Sequence, residues 1–128
     1  MKKIEIACFN LQSALIALKA GADRVELCAD MSVGGTTPKI EMIQQARENL
    51  TIDMFVMIRP RGGNFVYSDS EFEQMKSDIE TIKKVGVNGF VFGILKDDKT
   101  INLEQNKVLV ELAKPFPCTF HRAFDAVS

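Results

Sequence analysis

Four charged residues stand where a β-rich sequence pattern has no ordinary use for them. Glu5, Glu26, Arg59 and His121 each fall inside or at the end of a short run that reads as a strand. Together with Arg61, Arg122 and Asp125 they form a set suited to general acid–base chemistry on an anionic or carbonyl substrate. In that chemistry Glu26 or His121 would carry the proton, and Arg59 and Arg61 would hold negative charge through their guanidinium forks. A plainer reading stands beside it: a single strand histidine can do no more than satisfy a neighbouring carboxylate. The run Arg59-Pro-Arg-Gly-Gly63 also reads two ways. It is either an anion-binding loop or a turn whose glycines supply positive φ while its arginines pair with nearby acids. Gly34-Gly35 fits no phosphate-loop or dinucleotide fingerprint and reads as a flexible loop.

The elements that must position these residues repeat one pattern, a short β-rich run followed by an amphipathic segment at helical period. The first strand covers about residues 3–9, and Asn10 caps a helix carrying Leu11, Ala14, Leu15 and Leu18 before Gly21 stops it. A second strand covers 24–28. Thr37-Pro38 then reads as a cap followed by proline at the first helical position, with Ile40, Ile43 and Leu50 marking the buried face. The third strand covers 54–59, and Ser68 with Glu71 forms a capping box for a helix striped by Phe72, Met75, Ile79 and Ile82. A fourth strand covers 89–95, Asn102 opens a helix through Leu103, Leu109 and Leu112, and a fifth strand covers 117–122. No linker or low-complexity tract interrupts the series.

Charges on strands distinguish between the two architectures this alternation allows. An open sheet covered by helices on both faces offers no comfortable place for Glu5, Glu26, Arg59 and His121, because an unpaired buried charge is strongly disfavoured. A barrel does offer one, since its strand ends converge on a shared mouth. The expected fold is therefore α/β of the parallel (β/α) TIM-barrel type, part of such a barrel with (β/α)4 plus a fifth strand, as a single partial domain over residues 1–128. Side-chain alternation then fixes each strand's phase. Glu5 inward turns Cys8 outward, whereas Glu26 inward carries Cys28 inward with it; Arg59 takes Met57 inward and His121 takes Thr119. Cys8 and Cys28 accordingly lie on opposite faces of neighbouring strands, able to share a ligand only if a bulge or strand end breaks the phase. Cys118, phased opposite to His121, packs against a helix.

Composition removes several function classes. The chain has 128 residues with 16 basic and 17 acidic side chains, a formal charge of -1, and no basic stripe for nucleic acid or an anionic membrane. No apolar stretch approaches spanning length, and Met1-Lys2-Lys3 leads directly into a strand without the apolar core of a signal peptide. The expectation is a cytoplasmic protein. Three scattered cysteines, Cys8, Cys28 and Cys118, fit reduced thiols in such a compartment.

Five segments in order carry a resemblance: Gly21-Ala-Asp-Arg-Val-Glu-Leu-Cys28, Gly34-Gly-Thr-Thr-Pro38, Met57-Ile-Arg-Pro-Arg-Gly-Gly63, Tyr67-Ser-Asp69 and Thr119-Phe-His-Arg-Ala-Phe-Asp125. In sequence and spacing they resemble the CutC copper homeostasis family, over essentially the whole chain. The resemblance implies an eight-stranded barrel about twice this length, a role in copper homeostasis, and Cu(I) as the metal, with Cys8 and Cys28 matching the family's suggested ligands. Thiolates are soft and suit Cu(I), although both cysteines read equally as small buried hydrophobes. A half barrel also leaves its first and fifth strands as open edges, so homo-oligomerisation through them is expected. The competing reading is a barrel enzyme, or a relic of one, acting on a small anionic ligand at the charged mouth.

Overall fold

The structure, a computed structural model, describes residues 5–33 and 35–120. Its elements are β1 (Glu5–Cys8), α1 (Leu11–Lys19), β2 (Arg24–Leu27), α2 (Ile40–Asn49), β3 (Asp53–Met57), α3 (Asp69–Lys83), β4 (Gly89–Phe92), α4 (Leu103–Ala113) and β5 (Cys118–Phe120). A 3₁₀ turn at Met31–Val33 lies in the loop between β2 and α2. The five strands form one sheet in the order β1-β2-β3-β4-β5 with every described pairing parallel. A doubly wound sheet reverses its strand order at a switch point. Here each new strand is added on the same side and a helix crosses back between neighbours, which is how a (β/α) barrel grows.

The helix-facing side of the sheet holds the main core. Val25, Leu27, Met54, Val56, Phe90 and Phe92 alternate onto that side and are buried beneath the helices. Each helix answers with residues three or four apart: Ala14 and Ala17 on α1, Ile43 and Ala46 on α2, Met75, Ile79 and Ile82 on α3, and Leu109 and Ala113 on α4. On α1 the fully buried positions are alanines, with Leu11, Leu15 and Leu18 packed, partly buried, against the same core. Phe116 closes the far side, edge-on to Phe90 with ring centroids 6.2 Å apart.

Local signals set most helix starts. The Asn10 side chain accepts from the Ser13 amide at 2.7 Å, Ser68 and Glu71 complete a reciprocal capping box, and Asn102 accepts from the Gln105 amide at 3.0 Å. Thr37 departs from expectation. Helix α2 begins at Ile40 with Lys39 in the capping position and no side-chain cap. The Thr37 hydroxyl instead accepts from the Arg59 backbone N–H at 2.9 Å, so it ties the loop after β2 to the end of β3. A second departure is Leu103, which opens α4 but is mostly exposed.

The opposite face of the sheet carries the residues that alternation assigns to the inside. In-register neighbours Glu26, Phe55 and Gly89 form one row across β2, β3 and β4, and Met57, Val91 and Thr119 form the next. Cys28, Phe55, Met57 and Val91 make a small buried cluster with Phe9 packed against it, separate from the main core.

Candidate functional site

Two polar assemblies occupy different levels of the inner face. The lower one starts at the amino ends of β1 and β2, where Glu5 stands in register with Arg24 and the two side chains form an ion pair. The Arg24 guanidinium also lies over the Phe55 ring, 4.0 Å from its centroid. One step further along β2 is Glu26, pushed up to about 7 chiefly by burial and next by the neighbouring Glu5 carboxyl, with Cys28 and Arg24 opposing. Beyond it the Cys28 sulfur lies 3.8 Å from Glu26 Oε1. Burial, and then the Glu26 charge, raise the Cys28 thiol to about 12. A thiol raised that far is protonated at neutral pH.

Gly35 leans directly over this sulfur. Its φ of +102° belongs to the region that favours glycine, and a Cβ there would lie 3.3 Å from Cys28 Cβ, 3.5 Å from Cys28 Sγ and 3.6 Å from Met57 Cε. Gly35 therefore acts as a close cover on Cys28 and Met57.

The upper assembly is at the carboxyl end of β3. Arg59 is 5% exposed, and its Nη1 donates to the carbonyls of Val33 at 2.7 Å and Gly35 at 2.9 Å while Nη2 donates to Gly63 at 2.8 Å. Its guanidinium also lies over the Phe65 ring at 4.8 Å. Arg61 is similarly occupied: Nε donates to Glu71 Oε2 at 2.6 Å and Nη2 to the Val66 carbonyl at 2.6 Å. Its partner Glu71 is held below the usual carboxylate range by the Ser68 amide and then by Arg61. Of the two readings of Arg59-Pro-Arg-Gly-Gly63, the contacts favour the turn. The arginines brace loops, and Gly63 takes φ +91°.

The expected site residues are thus only partly brought together. Glu5 and Glu26 are neighbours, but Glu5 shares the register level of Asp53, and Arg59 lies about 20 Å further along β3 at the strand rise per residue. Glu5 belongs to the amino end of the sheet, and the single mouth combining Glu5 with Arg59 and Arg61 is not formed by these side chains. His121, Arg122 and Asp125 lie outside the described residues. Cys8 packs in the helix-facing core and Cys28 in the inner cluster, as strand parity requires. Burial raises the Cys8 thiol as well. Cys118 packs against the helix-side core, its thiol raised to about 11 by burial. Two further residues take part in these assemblies, Arg24 and Tyr67. Parity with Glu26 could have found Arg24, but nothing in the sequence reveals that the Tyr67 hydroxyl is buried without a well-formed hydrogen bond.

Glu26 gives a prediction with a definite sign. A carboxyl whose folded pKa is raised holds its proton more tightly when folded, so its contribution favours folding at low pH and is lost as pH rises from about 4.5 to about 7. Glu26→Gln removes that loss. Urea unfolding of the variant should match wild type at pH 4 and exceed it at pH 8 by about 1 kcal/mol, a figure already reduced for solvent screening at a partly open site. Parallel pH profiles for the two proteins would contradict the assignment.

Comparison with known proteins bears on the whole chain. The family model described as the CutC family matches residues 2–128. A protein of Photorhabdus laumondii called a family protein CutC is 49% identical over 125 residues, covering 98% of this chain and 50% of that protein. The human copper homeostasis protein cutC homolog is 48% identical over 124 residues, covering 97% of this chain and 45% of its own length. Among solved structures, the putative copper homeostasis protein CutC of Streptococcus agalactiae superposes with a TM-score of 0.94 at 39% identity, over 100% of this chain and 62% of that one. A putative phosphonomutase of Burkholderia cenocepacia, 12% identical with a TM-score of 0.62 over 97% of this chain and 61% of its own, shares the fold alone. The chain spans about half the length of the curated relatives it matches.

Proposed function

This chain belongs to the CutC family, and we propose that it serves copper homeostasis by holding Cu(I), as cargo, at Cys28 on the inner face of the sheet. Copper comes from the names of the relatives; the choice of residue comes from geometry. Two cysteines on neighbouring strands suggest a bis-thiolate site, but Cys8 turns toward the helices and Cys28 toward the interior. The pair does not fit one ion without breaking the alternation of β1 or β2. The observation that carries the reading is the surroundings of Cys28: its sulfur lies on the inner face, covered by Gly35 and 3.8 Å from a carboxylate oxygen. Thiolate is a soft ligand that selects Cu(I) over harder ions. Among the described residues no group of three or more His, Cys, Asp or Glu side chains gathers about a metal, so a site at Cys28 would be of low coordination number, which Cu(I) accepts.

Anaerobic titration of the reduced chain with Cu(I) against a competing chelator tests this. Cys28→Ser should weaken binding by about a hundredfold or more, while Cys8→Ser stays within about threefold of wild type. Equal losses in both variants would restore the two-cysteine site, and no loss in either would remove the copper assignment from this half of the barrel.

The same proposal includes a reducing, cytoplasmic setting, which suits three free cysteines. It also includes association with a second copy through the edge strands β1 and β5, where Ile6 and Phe120 are exposed. A second reading, an acid–base site for a small anionic ligand, is favoured by one arrangement: Glu26 stands beside the Glu5–Arg24 ion pair, its carboxyl raised by burial and then by Glu5. Such a site would depend on Glu26 and be indifferent to Cys28.

A further inference from the structure

We propose that Met57 supplies a second sulfur to the Cu(I) site, making it a cysteine–methionine pair on the inner face. The inference rests on the assignment of copper to Cys28 and goes beyond it by naming the partner ligand. Met57 and Cys28 lie side by side in sheet order, because Leu27 on β2 is in register with Val56 on β3 and the next residue of each strand turns inward. Both are buried in the same small cluster, at 4% and 1% exposure. Their side chains reach one place: Cys28 Sγ and the terminal methyl of Met57, one bond from its donor sulfur, lie 3.5 and 3.6 Å from the point where a Cβ on Gly35 would stand.

The chemistry suits the metal. A thioether and a thiolate are both soft donors, and Cu(I) favours them over imidazole or carboxylate. Methionine is also unbranched and flexible, so its sulfur can swing toward an ion at Cys28 with little rearrangement of the cluster. The step balances without a redox partner. Cu(I) bonds to Cys28 Sγ, the S–H bond breaks, and the proton passes to Glu26 Oε1, 3.8 Å away, and on to solvent. Met57 donates a sulfur lone pair and loses nothing. Among the described residues the other methionines lie elsewhere: Met54 and Met75 in the helix-side core, Met42 packed against it, and Met31 exposed.

The test uses selenomethionine-labelled, reduced chain loaded with one equivalent of Cu(I) under anaerobic conditions and measured by copper X-ray absorption. A copper–selenium scattering contribution should be present in the wild type and in Met54→Leu and absent in Met57→Leu. Chelator competition should show Met57→Leu at least about tenfold weaker than wild type, with Met54→Leu unchanged. Leucine is close to methionine in volume, so the fold tolerates both changes. Wild-type affinity and a retained copper–selenium signal in Met57→Leu, with binding still lost in Cys28→Ser, would overturn the role of Met57 and leave Cys28 standing. Undiminished binding in Cys28→Ser would overturn both.

Discussion

Replacing Arg59 by methionine lowers the unfolding free energy of the chain by about 3 kcal/mol. The side chain is buried, and three of its N–H groups go to the carbonyls of Val33, Gly35 and Gly63. Methionine keeps an apolar stem against Phe65 but removes the donor from all three; the buried Gly35 acceptor alone costs about 1–3 kcal/mol, and those of Val33 and Gly63, on exposed residues, cost less. Relief of the buried charge returns part of that sum, while breaking the fork that joins two loops adds to it, and the net stays at about 3 kcal/mol. Arg59→Lys should rescue little, because a single ammonium cannot span the fork that joins two loops. Urea denaturation measures the difference, and hydrogen exchange at residues 35–37 and 61–66 should accelerate with it. A methionine variant within 0.5 kcal/mol of wild type, roughly the scatter of an ordinary surface change, would mean that the loops are held by something other than Arg59.

Gly89→Val destabilises by a similar amount, about 3 kcal/mol, through the inner face. Gly89 is in register with Phe55, and any Cβ on it would stand 2.5 Å from two atoms of the Phe55 ring. The ring cannot retreat freely, since Arg24 lies over it 4.0 Å from its centroid. An added side chain therefore forces Phe55 off its rotamer or the two strands apart. Coupling is the sharper signature. Phe55→Ala alone leaves a void, but combined with Gly89→Val it opens the space the valine needs, so the double variant should be more stable than the sum of the single changes predicts by about 1–2 kcal/mol. Additive losses would show that Gly89 is required for some other reason than the ring.

How far the sequence reveals this arrangement depends on the reach of the interaction. Strand parity is local, so the alternation through Glu26 suffices to turn Cys28 inward, and Cys8 follows its own strand outward. Caps are equally local: Asn10, Ser68 with Glu71, and Asn102 each act within three residues of their own helix. Thr37 has the same composition signal and a different outcome, because its hydroxyl is claimed by the Arg59 backbone 22 residues away. Long-range geometry accounts for the other departures. Glu5 and Arg59 look alike as charges on strands, yet only the register of β1, β2 and β3 shows that they stand at opposite ends of the sheet. Likewise, the Arg59-to-Gly63 run could have cradled an anion until its guanidinium groups were seen bonded to carbonyls and to Glu71.

Copper anomalous scattering from crystals grown anaerobically with one equivalent of Cu(I) tests the central claim most directly. One principal peak bonded to Cys28 Sγ on the inner face is expected, with Met57 turned toward it and Cys8 still packed beneath the helices. A peak bonded to Cys8, or bridging the two cysteines through a break in the strand alternation, would contradict it.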